Sequence, residues 1–218
     1  MGGRSALDYL IKVKGYSFLE AVETIIGHTA IQAPVYEKPQ PKEENKQLLL
    51  PEKCASNRVI TEYLFGRGID FEIINYCISN DLIFESLPYH NVVFVGYDEK
   101  KEAKYAAYRS TNKRRIMGDC SGSKKDYSFR LGKENLEEVH LFECAIDLLS
   151  YATLAKLNGQ DWKEMSFVSL SGVYSPAKKI EDSKVPIALE KYLDSNPSVR
   201  KIRIHFDNDI AGRKAAQT

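Results

Sequence analysis

HLFECAIDLLSYA at 140–152 and IHFDNDIAGRKAA at 204–216 are the two stretches that decide the fold. Each opens on a short apolar, strand-like run, Glu138–Phe142 in the first case and Lys201–Phe206 in the second, and each passes quickly into a small-residue helix start. Between them, Ile146–Leu157 has helical spacing, Ser166–Leu170 reads as a strand and Pro186–Leu193 as a helix. Strands that alternate with helices predict an α/β unit with a mostly parallel sheet over 136–218.

In an open α/β sheet, ligands bind beyond the carboxyl ends of the strands. Acids stand at both places here. Glu143 follows the first strand, with Asp147 at the start of the next helix, and Asp207 and Asp209 follow the second strand. In extended chain, residues two apart point the same way, so Asp207 and Asp209 are expected to aim into one cleft. A single DxD is more often a solvated turn, and a Glu–Asp pair at a helix start is more often a cap. The two sets together, at strand ends of one unit, point instead to a hard cation that relieves their mutual repulsion. Mg²⁺ (or Mn²⁺) is the expected ion, and its usual service is phosphoryl or nucleotidyl transfer.

Upstream, the pattern is different. Arg58–Gly66 and Asp70–Ile78 read as helices around a turn at Gly66 and Gly68. Asn91–Tyr97 and Lys104–Tyr108 read as hairpin strands around Asp98–Lys101, and Ser128–Leu131 as a third strand. The expected architecture is therefore an α+β portion, 51–135, followed by the α/β portion. Lys113, Arg114, Arg115, Lys124, Lys125 and Arg130 outnumber the acids nearby, and Tyr105, Tyr108, Tyr127 and Phe129 interleave with them. Basic groups neutralise phosphates and aromatic faces stack bases, which makes this a candidate nucleic-acid face. The plain alternative is a solvated hairpin with core aromatics. Further upstream, 1–33 reads as two short helices broken at Gly15, with Ser17 as an N-cap, and the Pro-, Lys- and Glu-rich 34–50 reads as a linker.

Bulk properties narrow the field. The net charge of +1 gives no whole-chain attraction to nucleic acid, so any such argument is local. Cys54, Cys77, Cys120 and Cys144 are scattered without a CxxC pair, so no zinc site is expected, and His28 is not taken as a ligand. There is neither a signal-peptide pattern nor an apolar run near the roughly 20 residues of a membrane helix, which makes the cytoplasm the expected compartment and a membrane partner unexpected.

The first quoted stretch resembles the glutamate motif of Toprim domains, and the second resembles their DxDxAG motif as found in bacterial primases. NVVFVGYDE at 91–99, the strand ending at Arg109 and GSKKDYSF at 122–129 are similar to the segment preceding Toprim in primases of plasmids and mobile elements. Residues 2–25 are similar to the segment just beyond the zinc finger of such primases, so the chain is expected to lack material at both ends. The resemblance implies a Toprim-like domain in which Glu143 is the acid/base or metal-linked residue, Asp207 and Asp209 hold Mg²⁺, and Asp147 supports the site. It implies that Arg109, Lys124 and Lys125, with the Lys113–Arg115 run, face DNA or nucleotide phosphates. Single-stranded DNA, nucleoside triphosphates and a replicative helicase are the implied partners, and primer synthesis is the implied activity. A non-catalytic nucleic-acid-binding module and a Toprim nuclease or nicking enzyme are the alternatives. A topoisomerase is disfavoured, for want of room for a tyrosine-bearing domain.

Overall fold

The computed structural model describes residues 6–27, 47–172 and 185–216. The chain forms two compact units, Met1–Glu44 and Asn45–Thr218. The first contains α1 (Ala6–Lys12) and α2 (Phe18–Ile26). The Ser17 side chain accepts the Glu20 N–H, and Glu20 accepts the Ser17 N–H at 2.8 Å, a reciprocal cap that starts α2 where the sequence places it. Most of the expected linker lies outside the described residues. Its end does not: Leu48 packs on the first sheet of the second unit, and the Leu49 N–H donates to the Ser121 carbonyl at 2.9 Å.

The second unit opens with α3 (Arg58–Gly66) and α4 (Phe71–Ser79). An antiparallel meander comes next: β1 (Ile83–Glu85), β2 (Val92–Tyr97), β3 (Ala103–Arg109) and β4 (Met117–Asp119), hydrogen-bonded in that order. Strands β1 and β4 were not expected. Each has three residues, too few to show a period of two, and Met117–Asp119 is a strand because it pairs with Ala107–Arg109, not by propensity.

The rest is the α/β unit: β5 (Arg130–Gly132), β6 (Glu138–Phe142), α5 (Ala145–Leu157), β7 (Ser166–Ser169), α6 (Ile187–Ser195), β8 (Lys201–His205) and α7 (Ile210–Ala215). Its sheet order is β5-β7-β6-β8, with β6 parallel to both β7 and β8, and β5 antiparallel at the edge. The mostly parallel sheet is therefore present. Helix α7 begins at Ile210, two residues before the expected Gly212.

Apolar faces explain the layering. Phe142 and Phe167 point to one side, into a core with Ile146, Leu149, Ile60, Ile73 and Phe94, so α5 is clamped between this sheet and the α3–α4 side of the meander. Seven of its residues are buried, which is why the helix lacks a polar stripe. Val139, Leu141 and Val168 point the other way, against Ala188, Leu189 and Tyr192 of α6. No helix among the described residues is long and apolar enough to cross a membrane.

Candidate metal centre

The chain leaves β6 through α5 to reach β7 on one side, then crosses by α6 to β8 on the other. The carboxyl ends of β6 and β8 therefore meet where the winding reverses, the place at which an α/β sheet opens a crevice. Phe142 pairs in register with His205, so Glu143 emerges directly beside Phe206 and Asp207.

The acids converge there. Glu143 Oε1 accepts the Asp207 N–H at 3.0 Å. Burial pushes the Glu143 carboxyl up. The Asp207 N–H opposes that rise, and the charges of Asp207, Asp209 and Asp147 add to it. Glu143 thus sits in the field of the other three acids. Asp147 lies in the first turn of α5 and accepts the Cys144 thiol at 2.9 Å. Asp209 precedes α7 and its Oδ1 accepts the Gly212 N–H at 2.7 Å. Asp207 and Asp209 are not related by extended chain as expected, because the backbone bends at Asn208 and Asp209. Asp209 is brought to the cleft by capping α7.

Gly212 makes the close approach possible. A Cβ there would stand 2.1 Å from the Asp207 carbonyl oxygen and 2.9 Å from Glu143 Oε1. The donor set suits a hard divalent ion: four carboxylates, two of them exposed, two just past strand ends and two at helix starts. Their oxygens are not drawn into a tight trio, since among the described residues three candidate ligand atoms come within 4.8 Å of one another only elsewhere. Mg²⁺ keeps several waters and takes one or two carboxylates directly, so its site does not require such a trio.

A cavity of about 340 Å³ adjoins the centre. One wall carries Tyr105, Arg109, Asp119 and Lys125, and the other is Cys144–Ile146 with Ser171 and Gly172. The Gly172 N–H donates to the Glu143 carbonyl at 2.8 Å, which ties that wall to the acids. Lys125 Nζ pairs with Asp119 at 3.2 Å, and the Tyr105 hydroxyl donates to Asp119 at 2.8 Å. Arg109 Nη1 lies 3.3 Å from the Met117 sulfur, while its Nε is buried without a hydrogen-bond partner among the described residues.

Of the seven basic residues singled out in the sequence, two therefore reach the cavity, Arg109 and Lys125, while Arg130 pairs with Glu134 at 3.4 Å and lies over the Tyr192 ring. Lys113, Arg114 and Arg115 stand exposed between β3 and β4, with Arg114 on a separate groove beside Tyr89 and Ile116. Lys124 is exposed beside Gln47 and Leu48. The aromatics divide as well. Phe129 is core, edge-on to Phe94 with ring centres 5.5 Å apart, and is not available for base stacking. Tyr127 packs beneath Lys191. Tyr108 lines the cavity.

Sequence reasoning missed Asp119, which orients two cavity residues and carries no motif. It also missed a histidine pair beneath the acids. His140 Nδ1 and His205 Nε2 are 2.9 Å apart, and the His205 ring stacks on Phe142 with centres 4.9 Å apart. The signal was present, since each acidic motif carries a histidine in its strand, but cross-strand register was needed to pair them.

Comparison with known families matches residues 140–218 to the Toprim-like domain and residues 62–135 to a family described as a protein of unknown function, DUF3991. No curated protein sequence matches significantly. Among solved structures, the primase fragment of the bacteriophage T7 primase-helicase is 18% identical, with 70% of this chain and 57% of that one covered at a TM-score of 0.46. The E. coli primase catalytic core is 12% identical, with 73% and 58% covered at 0.47. The Aquifex aeolicus primase, zinc-binding and RNA polymerase domains, is 15% identical, with 100% and 60% covered at 0.42. The chain thus spans less than two thirds of the length of these three structures.

Proposed function

We propose that this chain, whose residues 140–218 are a Toprim-like domain, is the metal- and nucleotide-binding part of a DNA primase that extends primers on single-stranded DNA. The observation that carries this reading is the meeting of Glu143, Asp207 and Asp209 at the reversal point of the sheet, with a largely apolar cavity alongside that carries Arg109 and Lys125. Asp207, Asp209 and Glu143 would hold Mg²⁺, which when bound lowers the cost of a nucleophilic hydroxyl and of a departing pyrophosphate.

The protein's own groups supply the rest. Glu143, its carboxyl raised by burial and neighbouring acids, takes the proton of the attacking hydroxyl. Asp147 adds negative charge that strengthens cation binding. Lys125 and Arg109 meet the triphosphate from the cavity wall, where the buried Arg109 Nε has a donor to give. Lys113, Arg114, Arg115 and Lys124 lie farther out and hold the template backbone. Nucleoside triphosphates, a single-stranded template and a replicative helicase as neighbour belong to this proposal, as does its setting in plasmids or mobile elements.

The test is synthesis of labelled oligoribonucleotides on single-stranded DNA with Mg²⁺. Activity is expected, and Asp207→Asn and Glu143→Gln should each reduce it about a hundredfold or more with folding intact. Arg115→Ala should weaken DNA binding and lower its salt slope by about 1. Metal-dependent nicking of supercoiled DNA without primer synthesis would replace this reading with a Toprim nuclease. DNA binding with neither activity would leave a non-catalytic module.

A further inference from the structure

A second cluster of metal-ligating side chains lies at the far end of β1, independent of the acidic centre. Residues 52–54 run antiparallel to the end of β1: Lys53 bridges to Ser86, the Cys54 N–H donates to the Glu85 carbonyl at 2.8 Å, and the Leu87 N–H donates to the Glu52 carbonyl at 2.8 Å. This pairing sets Cys54 beside Glu85. The loop after β1 then folds back. The His90 N–H donates to the Ser86 carbonyl at 2.8 Å, and the Thr111 hydroxyl donates to the His90 carbonyl at 3.0 Å. His90 is held at φ +52°, a left-handed conformation that a side-chain-bearing residue adopts only when its surroundings require it. The result is that its ring faces back onto Glu85, with Nδ1 2.5 Å from Oε1.

Glu85 is 1% exposed. Its Oε2 accepts the Val59 and Ile60 N–H groups at the start of α3, at 2.9 and 3.3 Å, which fixes the direction of the carboxylate. Among the described residues its one ion-pair partner is His90. With Oε2 satisfied by the Val59 and Ile60 N–H groups, Oε1 is left to His90 and keeps a lone pair for a cation. Cys54 Sγ, a Glu85 oxygen and a His90 nitrogen lie within 4.8 Å of one another, and among the described residues no other set of histidine, cysteine and acidic side chains does so.

We propose that Cys54, Glu85 and His90 bind Zn²⁺, with a solvent molecule completing the tetrahedron on the exposed side of His90. Thiolate, imidazole and carboxylate together suit zinc, whereas Mg²⁺ has no use for sulfur. Zinc bonds of about 2.0–2.3 Å place ligand atoms roughly 3–4 Å apart, so the three need only contract around the ion while the His90 ring rotates off Oε1. The thiol proton is released to solvent as the sulfur binds. Occupied, the site clips 52–54 and the 86–91 loop to the start of α3. The proposal departs from the expectation of no zinc drawn from the scattered cysteines, because the three ligands are neighbours in space and not in the sequence.

The test is titration of the metal-free chain with Co²⁺, a spectroscopic substitute for zinc, with Mg²⁺ in excess to fill the acidic centre. A thiolate-to-cobalt charge-transfer band that saturates at one equivalent and is displaced by Zn²⁺ is expected. It should vanish in Cys54→Ser, weaken by about tenfold or more in affinity in His90→Ala, and persist in Cys144→Ser, whose thiol also lies beside a carboxylate. Zn²⁺ should raise the melting temperature of the parent chain and raise that of His90→Ala by less at the same metal concentration. Absence of the band, or a band that survives Cys54→Ser or disappears in Cys144→Ser, overturns the proposal. None of these readings depends on primer synthesis.

Discussion

Gly212 is the residue at which the two acidic motifs touch. Its absent side chain leaves room for the Asp207 carbonyl and the Glu143 carboxylate at once. Gly212→Ala should force one of them aside, at about 1–3 kcal/mol in stability, and should weaken Mn²⁺ binding by about tenfold. Gly66→Ala is the matched control: it ends α3 with nothing within 4 Å of the added carbon, and should be neutral or stabilising by up to about 1 kcal/mol in denaturant unfolding. Equal effects of the two would remove the special role of Gly212. At this scale the sequence was informative about which acids meet at the cleft and less so about how they reach it. Glu143 and Asp207 are legible because each lies just past the end of a strand. Asp209 reaches the cleft as a helix cap, a role its spacing from Asp207 does not disclose.

At the level of elements, β6 and β8 do more than carry acids at their ends. His140 is buried between them, with Nδ1 toward His205 and Nε2 3.2 Å from Glu138. Burial first, and then the charge of His205, pushes the His140 imidazole down to about 4. The unfolded chain therefore binds a proton that the folded chain refuses between about pH 6.5 and 4. Stability should be full above that window and fall as the pH drops through it, by about 2 kcal/mol between pH 7 and pH 5. Glu138, held down to about 2 by Arg203 and Lys201, adds a loss in the same direction only below its ordinary value near 4.5. Denaturant unfolding across pH 4–8 checks this, and His140→Gln should flatten the upper part of the slope. A parent chain equally stable at pH 5 and pH 7 would exclude a neutral buried His140. The long elements were readable because their apolar periods repeat. Strands β1 and β4 were not, because partners elsewhere in the chain create them.

Across the whole of the second unit, one core runs through both sheets. Ile60, Ile73 and Phe94 from the α+β portion share it with Phe142, Leu149 and Phe167 from the α/β portion. The sequence divides 51–135 from 136–218 by a change of pattern, and the family matches divide at a similar place. Yet β5, from the first stretch, is an edge of the second sheet. Pattern reveals how each piece is built but not that they bury each other's apolar faces. Trp162, the single tryptophan, lies in this shared core. Its fluorescence and far-UV circular dichroism should therefore follow one coincident unfolding transition, and two separated transitions would show the portions to be independent. The shared core also fixes the wall bearing Arg109 and Lys125 against the turn that follows Glu143, which gives the acids a basic neighbour. The most direct measurement is the anomalous difference density of a crystal of this chain soaked in Mn²⁺. A peak bounded by Glu143, Asp207 and Asp209, lost in Asp207→Asn, is predicted; a fully soaked crystal with no manganese among those carboxylates would contradict the account.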